Sequence, residues 1–166
     1  MPIPTLTQAL SNVSANKDLL AIRNALSPIY DRFSSCAHNS AGLVIKAGGS
    51  TLAKTGSTAW YGTAKGVSVT IAAATDMPAL SGSITAAYYN VFCFFIDSAG
   101  TVTAAMGTEA TTLAGVDFPT FPLGKALVGY LVVTYASAFV GGTTALDTAT
   151  TAYVSPIGPF NPNALL

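Results

Sequence analysis

Charge is what this sequence has least of. Only 8% of its 166 residues are Asp, Glu, Lys or Arg, against about 25% in average soluble proteins. Seven basic side chains balance seven acidic ones. So uncharged a surface carries little self-repulsion, and zero formal net charge leaves the chain poorly protected against association, which makes assembly with copies of itself the expected state. The bases Lys17, Arg23, Arg32, Lys46, Lys54, Lys65 and Lys125 are scattered singly. Without a basic stripe to neutralise phosphates, nucleic acid is not an expected partner.

Long apolar runs are missing as well. Hydrophobic residues make up 51% of the chain and mean hydropathy is +0.52. Yet the longest stretches, Val91 to Ile96 and Ala126 to Tyr135, fall well short of the ~20 residues that cross a bilayer as a helix. The opening MPIPTLTQALSN has neither the basic region nor the compact apolar region of a secretory signal. The expectation is a chain made and kept in the cytosol, with no membrane partner. Cysteine is scarce too: Cys36 and Cys93 stand far apart in dissimilar contexts. Two cysteines neither demand nor exclude one disulfide, and free thiols are the default in a reducing compartment.

Catalytic constellations are equally thin. The single histidine, His38, lies two residues from Cys36, whereas a mononuclear zinc site takes four ligands and a nucleophilic pair needs its two side chains face to face. No serine stands in a Gly-x-Ser-x-Gly elbow. Gly124-Lys125 resembles the end of a phosphate loop, but Pro119 occupies the place of the first glycine and Ala126 that of the magnesium-binding hydroxyl. Asp18, Asp31, Asp76, Asp97, Glu109, Asp117 and Asp147 are isolated, mostly where turns are expected, which gives no support to a paired-carboxylate site. Trp60, Tyr61, Tyr88, Tyr89 and Tyr130 suit a strand core better than a stacking platform for sugars or bases. No enzymatic activity, metal or cofactor is expected.

What is present divides the chain into a helical segment, 1–38, and a β-rich domain with a proline-rich C-terminal tail, 39–166. Helical periodicity covers residues 5–35, opening on Thr5 and Gln8 in capping-box spacing. Ala15, Leu19, Ile22, Leu26, Ile29 and Phe33 recur at steps of four and three, drawing one heptad-like seam. Leu19, Ile22, Leu26, Ile29 and Phe33 are the candidate self-association residues. The plainer reading of the same seam is a helix docked on its own domain. Pro28 is expected to kink or restart the helix, with Ser27 as a new N-cap.

Beyond Ser34 helix formers give way to Gly, Thr, Ser and Val. The strands expected are Leu43 to Ala47, Thr58 to Tyr61, Val67 to Ala73, Ile84 to Asp97, Thr101 to Met106, Ala126 to Tyr135 and Ala152 to Val154. About seven short strands after a helix predict a mainly β fold, an antiparallel sandwich or barrel. Asp97-Ser98-Ala99-Gly100 is the clearest turn, Asp opening it and Gly taking the left-handed position of a bulged hairpin. YYNVFCFFI (Tyr88 to Ile96) and LVGYLVV (Leu127 to Val133) are apolar on successive residues, so each strand must hide both faces. The second cover can come from the helix, from loops, or from a neighbouring subunit. Phe118, Pro119, Phe121, Pro122, Pro156, Pro159 and Phe160 lie in extended segments suited to a partner-binding arm, or to a loop packed on its own domain.

DSAGTVTAAMG (Asp97 to Gly107), LAGVDFPTFPLGKALVGYLVV (Leu113 to Val133), FVGGTTALD (Phe139 to Asp147) and SPIGPFNP (Ser155 to Pro162) together resemble small virion structural proteins of tailed bacteriophages. The resemblance covers roughly the last 70 residues and leaves the helix out. It implies a component of the particle: a capsid decoration or cement protein, trimeric at threefold positions, with the major capsid protein or another virion protein as its partner. A tail, neck or fibre component with receptor or sugar binding is the alternative it leaves open.

Overall fold

The computed structural model describes residues 17–160, apart from the side chains of residues 17–19 and 151. A long helix, α1 (Lys17–Ser34), comes first. The capping box at Thr5 and Gln8, and Ala15, fall outside the described residues. Contrary to expectation, α1 runs through Pro28 as one helix, and Ser27 does not cap a new one. Proline there removes the helix bond to the Asn24 carbonyl, and both residues are on the exposed side of the helix, where the loss of one bond is best tolerated.

Eleven strands follow among the described residues: β1 (Cys36–Ala37), β2 (Val44–Ile45), β3 (Ala53–Lys54), β4 (Trp60–Ala64), β5 (Val67–Ile71), β6 (Ser83–Ile84), β7 (Tyr89–Ile96), β8 (Val102–Met106), β9 (Ala126–Thr134), β10 (Phe139–Val140) and β11 (Thr150–Val154). A single 3₁₀ turn (Leu113–Gly115) and a four-residue helix, α2 (Leu146–Ala149), complete the described elements. Every strand pairing is antiparallel. The main sheet has the order β11-β9-β7-β8, a second sheet the order β1-β4-β5, and β2-β3 and β6-β10 form two short ribbons. The fold is mainly β with one N-terminal helix, as the sequence predicts, and no sheet closes into a barrel.

Two departures have simple causes. Five of the strands are two residues long, too short to show period-two alternation, and β1, β3 and β10 escape sequence reading altogether. The single strand expected over Ile84 to Asp97 is broken between β6 and β7. Ala87 adopts a left-handed φ of +64° there, and Thr85 is held by the Glu109 carboxylate, which accepts from its amide and its hydroxyl.

The Asp97 hairpin forms as read. Asp97 Oδ1 accepts from the amides of Ala99 and Thr101, both at 3.0 Å, the Gly100 amide donates to the Asp97 carbonyl, and Gly100 sits at φ +82°. The carboxylate thus does locally what ladder bonds do in the strands on either side, β7 and β8.

β7 and β9 are buried along almost their whole length, and each face meets a different cover. On one side Phe92, Phe94, Ile96, Val128, Leu131 and Val133 pack with Trp60, Ala64, Val69 and Ile71 of the second sheet. On the other, Val91, Cys93, Phe95, Leu127, Tyr130 and Val132 pack with Val116 and Phe121. A bulge opposite Phe94 and Phe95 exchanges the parity of β9. Ala126 and Val128 face the first core before it, Leu131 and Val133 after it. Of the three possible covers for the second face, the chain's own loops supply it.

Candidate interaction surfaces

α1 is amphipathic in the reverse of the usual sense. Its half-buried side chains are Arg23, Ser27, Asp31, Arg32 and Ser34, all polar. Ile22 (51% exposed), Leu26, Ile29 (54%), Tyr30 and Phe33 (66%) face solvent. Leu19 shares their stripe by position. A helix that folds onto its own domain turns its apolar stripe inward; this one turns it away.

The anchor explains why. Asp31 Oδ1 accepts from the Gly124 amide at 2.8 Å, the Ser34 carbonyl accepts from the Gly66 amide at 2.8 Å, and Ser35 Oγ accepts from the Lys65 amide at 2.9 Å. The Arg32 guanidinium lies 4.3 Å from the Phe121 ring centroid, a cation–π contact. Burial lowers the Arg32 pKa from its ordinary value, and the Asp31 charge opposes that shift. All these contacts fall in the last turn of α1 or just after it. Asp31 binds from the side of the helix opposite its seam, and Arg32 from the flank between that side and the seam.

The segment read as a partner-binding arm is largely occupied within the chain. Phe118 meets Tyr130 edge-on at 5.0 Å, Phe121 meets Phe95 at 5.1 Å, and Phe160 stacks on Phe121 at 5.7 Å. The tail reaches this position because the Gly158 amide donates to the Ala37 carbonyl at 2.7 Å and Ser155 Oγ accepts from the Leu43 amide. Pro119, Pro122 and Pro156 are half-buried along these turns, while Pro159, Leu123 and Ile157 remain exposed. Edge-to-face aromatic contacts of this kind are worth ~0.5–1.5 kcal/mol each beyond burial. They tie the tail down as a lid over the second face.

Cys36 and His38 flank buried Ala37 at β1. Cys36 Sγ contacts the Phe33 carbonyl and Thr63 Oγ1, and the His38 amide donates to the Tyr61 carbonyl. Among the described residues no three His, Cys, Asp or Glu side chains gather where they could hold a metal ion. Trp60 is fully buried, Tyr130 nearly so, and Tyr88 and Tyr89 are half-buried, which leaves Tyr61 as the exposed member of the aromatic set. One open depression of about 400 Å³ is lined by Ser40, Ala41, Gly42, Val44, Gly56, Ser57 and Thr58, without a charged side chain.

No known protein family, curated protein or solved structure matches this chain. Function therefore rests on its own surfaces, and α1 is the one whose chemistry is left incomplete.

Both thiols are free: Cys36 is half-buried and Cys93 fully buried. Burial alone pushes the Cys93 pKa far above the ordinary thiol range. In a thiol titration of native protein, Cys93 is expected to react only after denaturant is added. Rapid modification of both thiols in the folded protein refutes the closed second face.

Glu109 supplies an acid-dependent contact. The Thr85 hydroxyl and then the Thr85 amide stabilise its carboxylate, so its pKa in the folded protein falls below the ordinary 4.5. Depressed in the fold, the group contributes stability above its unfolded-state pKa and loses it as pH falls through the lower folded value. The melting temperature should therefore decline more steeply across that acid window in the native chain than in Glu109→Gln. Equal slopes remove the carboxylate from the account.

Proposed function

We propose that this chain is a non-catalytic structural component of a virion, a decoration protein that self-assembles and seats its β-body on the capsid shell. The observation that carries the reading is the outward-facing apolar seam of α1: a helix that keeps six large apolar side chains in solvent, Leu20, Ile22, Leu26, Ile29, Tyr30 and Phe33, is built for assembly. The low charge favours close packing of many copies, and the resemblance of Asp97 to Gly107, Leu113 to Val133, Phe139 to Asp147 and Ser155 to Pro162 to phage virion proteins supports the reading that this assembly belongs to a particle. The protein that receives the body is then the major capsid protein or another virion protein.

A tail, neck or fibre component is the second reading. The feature that favours it is the attachment of α1 to the body through its C-terminal end, which is how a stem joins a head.

Mass spectrometry of purified particles of the encoding phage, followed by antibody labelling in the electron microscope, tests both. Decoration predicts many copies over the shell; the second reading predicts few copies at the tail or fibre. Absence from particles ends both.

A further inference from the structure

We propose that the seam of α1 is covered by the same seam of two further copies, in a parallel, in-register three-helix bundle from which the β-bodies hang outward. The proposal deepens the self-assembly reading above and rests on it for a role, though not for its test.

The first argument is residue choice. The step of three from Leu19 to Ile22 and of four from Ile22 to Leu26 sets Leu19, Leu26 and Phe33 at the a positions of a heptad and Ile22 and Ile29 at d. Leucine at a with isoleucine at d disfavours two-stranded coils and favours bundles of more strands. The second is area. With side chains of about 200 Å² each, partly exposed Ile22, Leu26, Ile29 and Phe33 at the a and d positions offer roughly 400 Å² per copy, about half of the ~800 Å² per partner that a stable pair buries. In a three-helix bundle each helix meets two neighbours, so flanking Tyr30 is covered as well and the area per copy rises to roughly 500 Å².

The third argument is polarity. Asp31 falls at f, the position farthest from the seam, and it is Asp31 that binds the body at Gly124. The body therefore sits on the outer side of its helix, and Arg32 at g reaches from the flank of the seam to Phe121, so the body meets the bundle at its C-terminal end. Pro28, at c, also falls off the seam. Parallel register brings the position of Asp18, a g residue, beside Arg23 of a neighbour at e, a pairing of opposite charge. Antiparallel pairing of Leu26 with Ile22 sets Arg23 against Arg23 instead.

Light scattering on the full-length protein tests the stoichiometry. The expected mass is about three times 16.8 kDa, falling to one copy in Ile22→Ser/Ile29→Ser. Exchanging the core preference, Ile22→Leu/Leu26→Ile/Ile29→Leu, should shift the mass toward two copies. Trp60, the only tryptophan and fully buried in the β-body, serves as the control: its emission should stay unchanged in every variant. Direction is read by oxidising Ile22→Cys in a Cys36→Ser background, where parallel register links residue 22 to residue 22 of another copy in most molecules. A monomeric native chain, a trimer that survives the double serine variant, or linkage at position 22 below a tenth overturns the proposal. A trimer absent from particles sinks the virion role alone; a monomer present on particles sinks the bundle alone.

Discussion

Phe94→Ala is expected to lower the free energy of unfolding by ~3–5 kcal/mol, and Phe95→Ala by a comparable amount, although the two side chains point to opposite faces of β7. Phe94 is fully buried in the core shared with Trp60 and the second sheet. Phe95 is 1% exposed and lies against Phe121, under the segment that returns between β8 and β9. Each truncation removes a full aromatic side chain from a site that has no room to collapse, because neighbouring strands fix its walls. Urea unfolding of both variants at two protein concentrations is the measurement. If a neighbouring subunit supplied the second cover, the cost of Phe95→Ala would depend on concentration and shrink under dilution. Equal, concentration-independent losses are what a single chain closing both faces requires. A loss below ~1 kcal/mol for Phe95→Ala alone would show the second face to be open.

Gly62→Ala, a change of one methyl group, should destabilise by about 3 kcal/mol or more, at or beyond the upper end of ordinary overpacking. A Cβ at this position would sit 2.8 Å from the Cys36 carbonyl oxygen and 2.7 Å from Trp60 Cζ2. Neither obstacle yields easily. The carbonyl belongs to the residue that pairs β1 with β4, and the indole is fully enclosed, its Nε1 buried without a hydrogen-bond partner. Displacing the ring should shift the emission of the single tryptophan to longer wavelength. Gly48→Ala is the matched control, since a Cβ there meets nothing within 4 Å, and its effect should stay within about ±0.5 kcal/mol. Indistinguishable melting curves for the two variants would refute this account of the β1-β4 contact.

Several features were legible because they depend on residues close in sequence. The Asp97 turn needs one acceptor and one left-handed glycine, four residues apart, and both do what their chemistry suggests. The α1 seam follows from spacing alone. The two-sided apolarity of β7 and β9 announced a second cover for the sheet. What supplies that cover was not legible, since Val116, Phe118, Phe121 and Phe160 lie in segments without periodicity and meet only when the tail is bound at Ala37 and Leu43. The bulge in β9 was hidden for a similar reason: its register is set against β7 and not within β9.

Local chemistry, written into short stretches of the chain, therefore determined a mainly β body, a helix with one apolar stripe, and a shortage of charge that leaves association unopposed. Tertiary structure decided where each apolar surface is used. It closed the second face of the main sheet with Phe118, Phe121 and Phe160, and it left the stripe of α1 in solvent. The physical reason is that periodicity states which side of an element is apolar but not what lies opposite. That depends on long-range bonds such as Asp31 to Gly124, whose partners are brought together only by the completed fold.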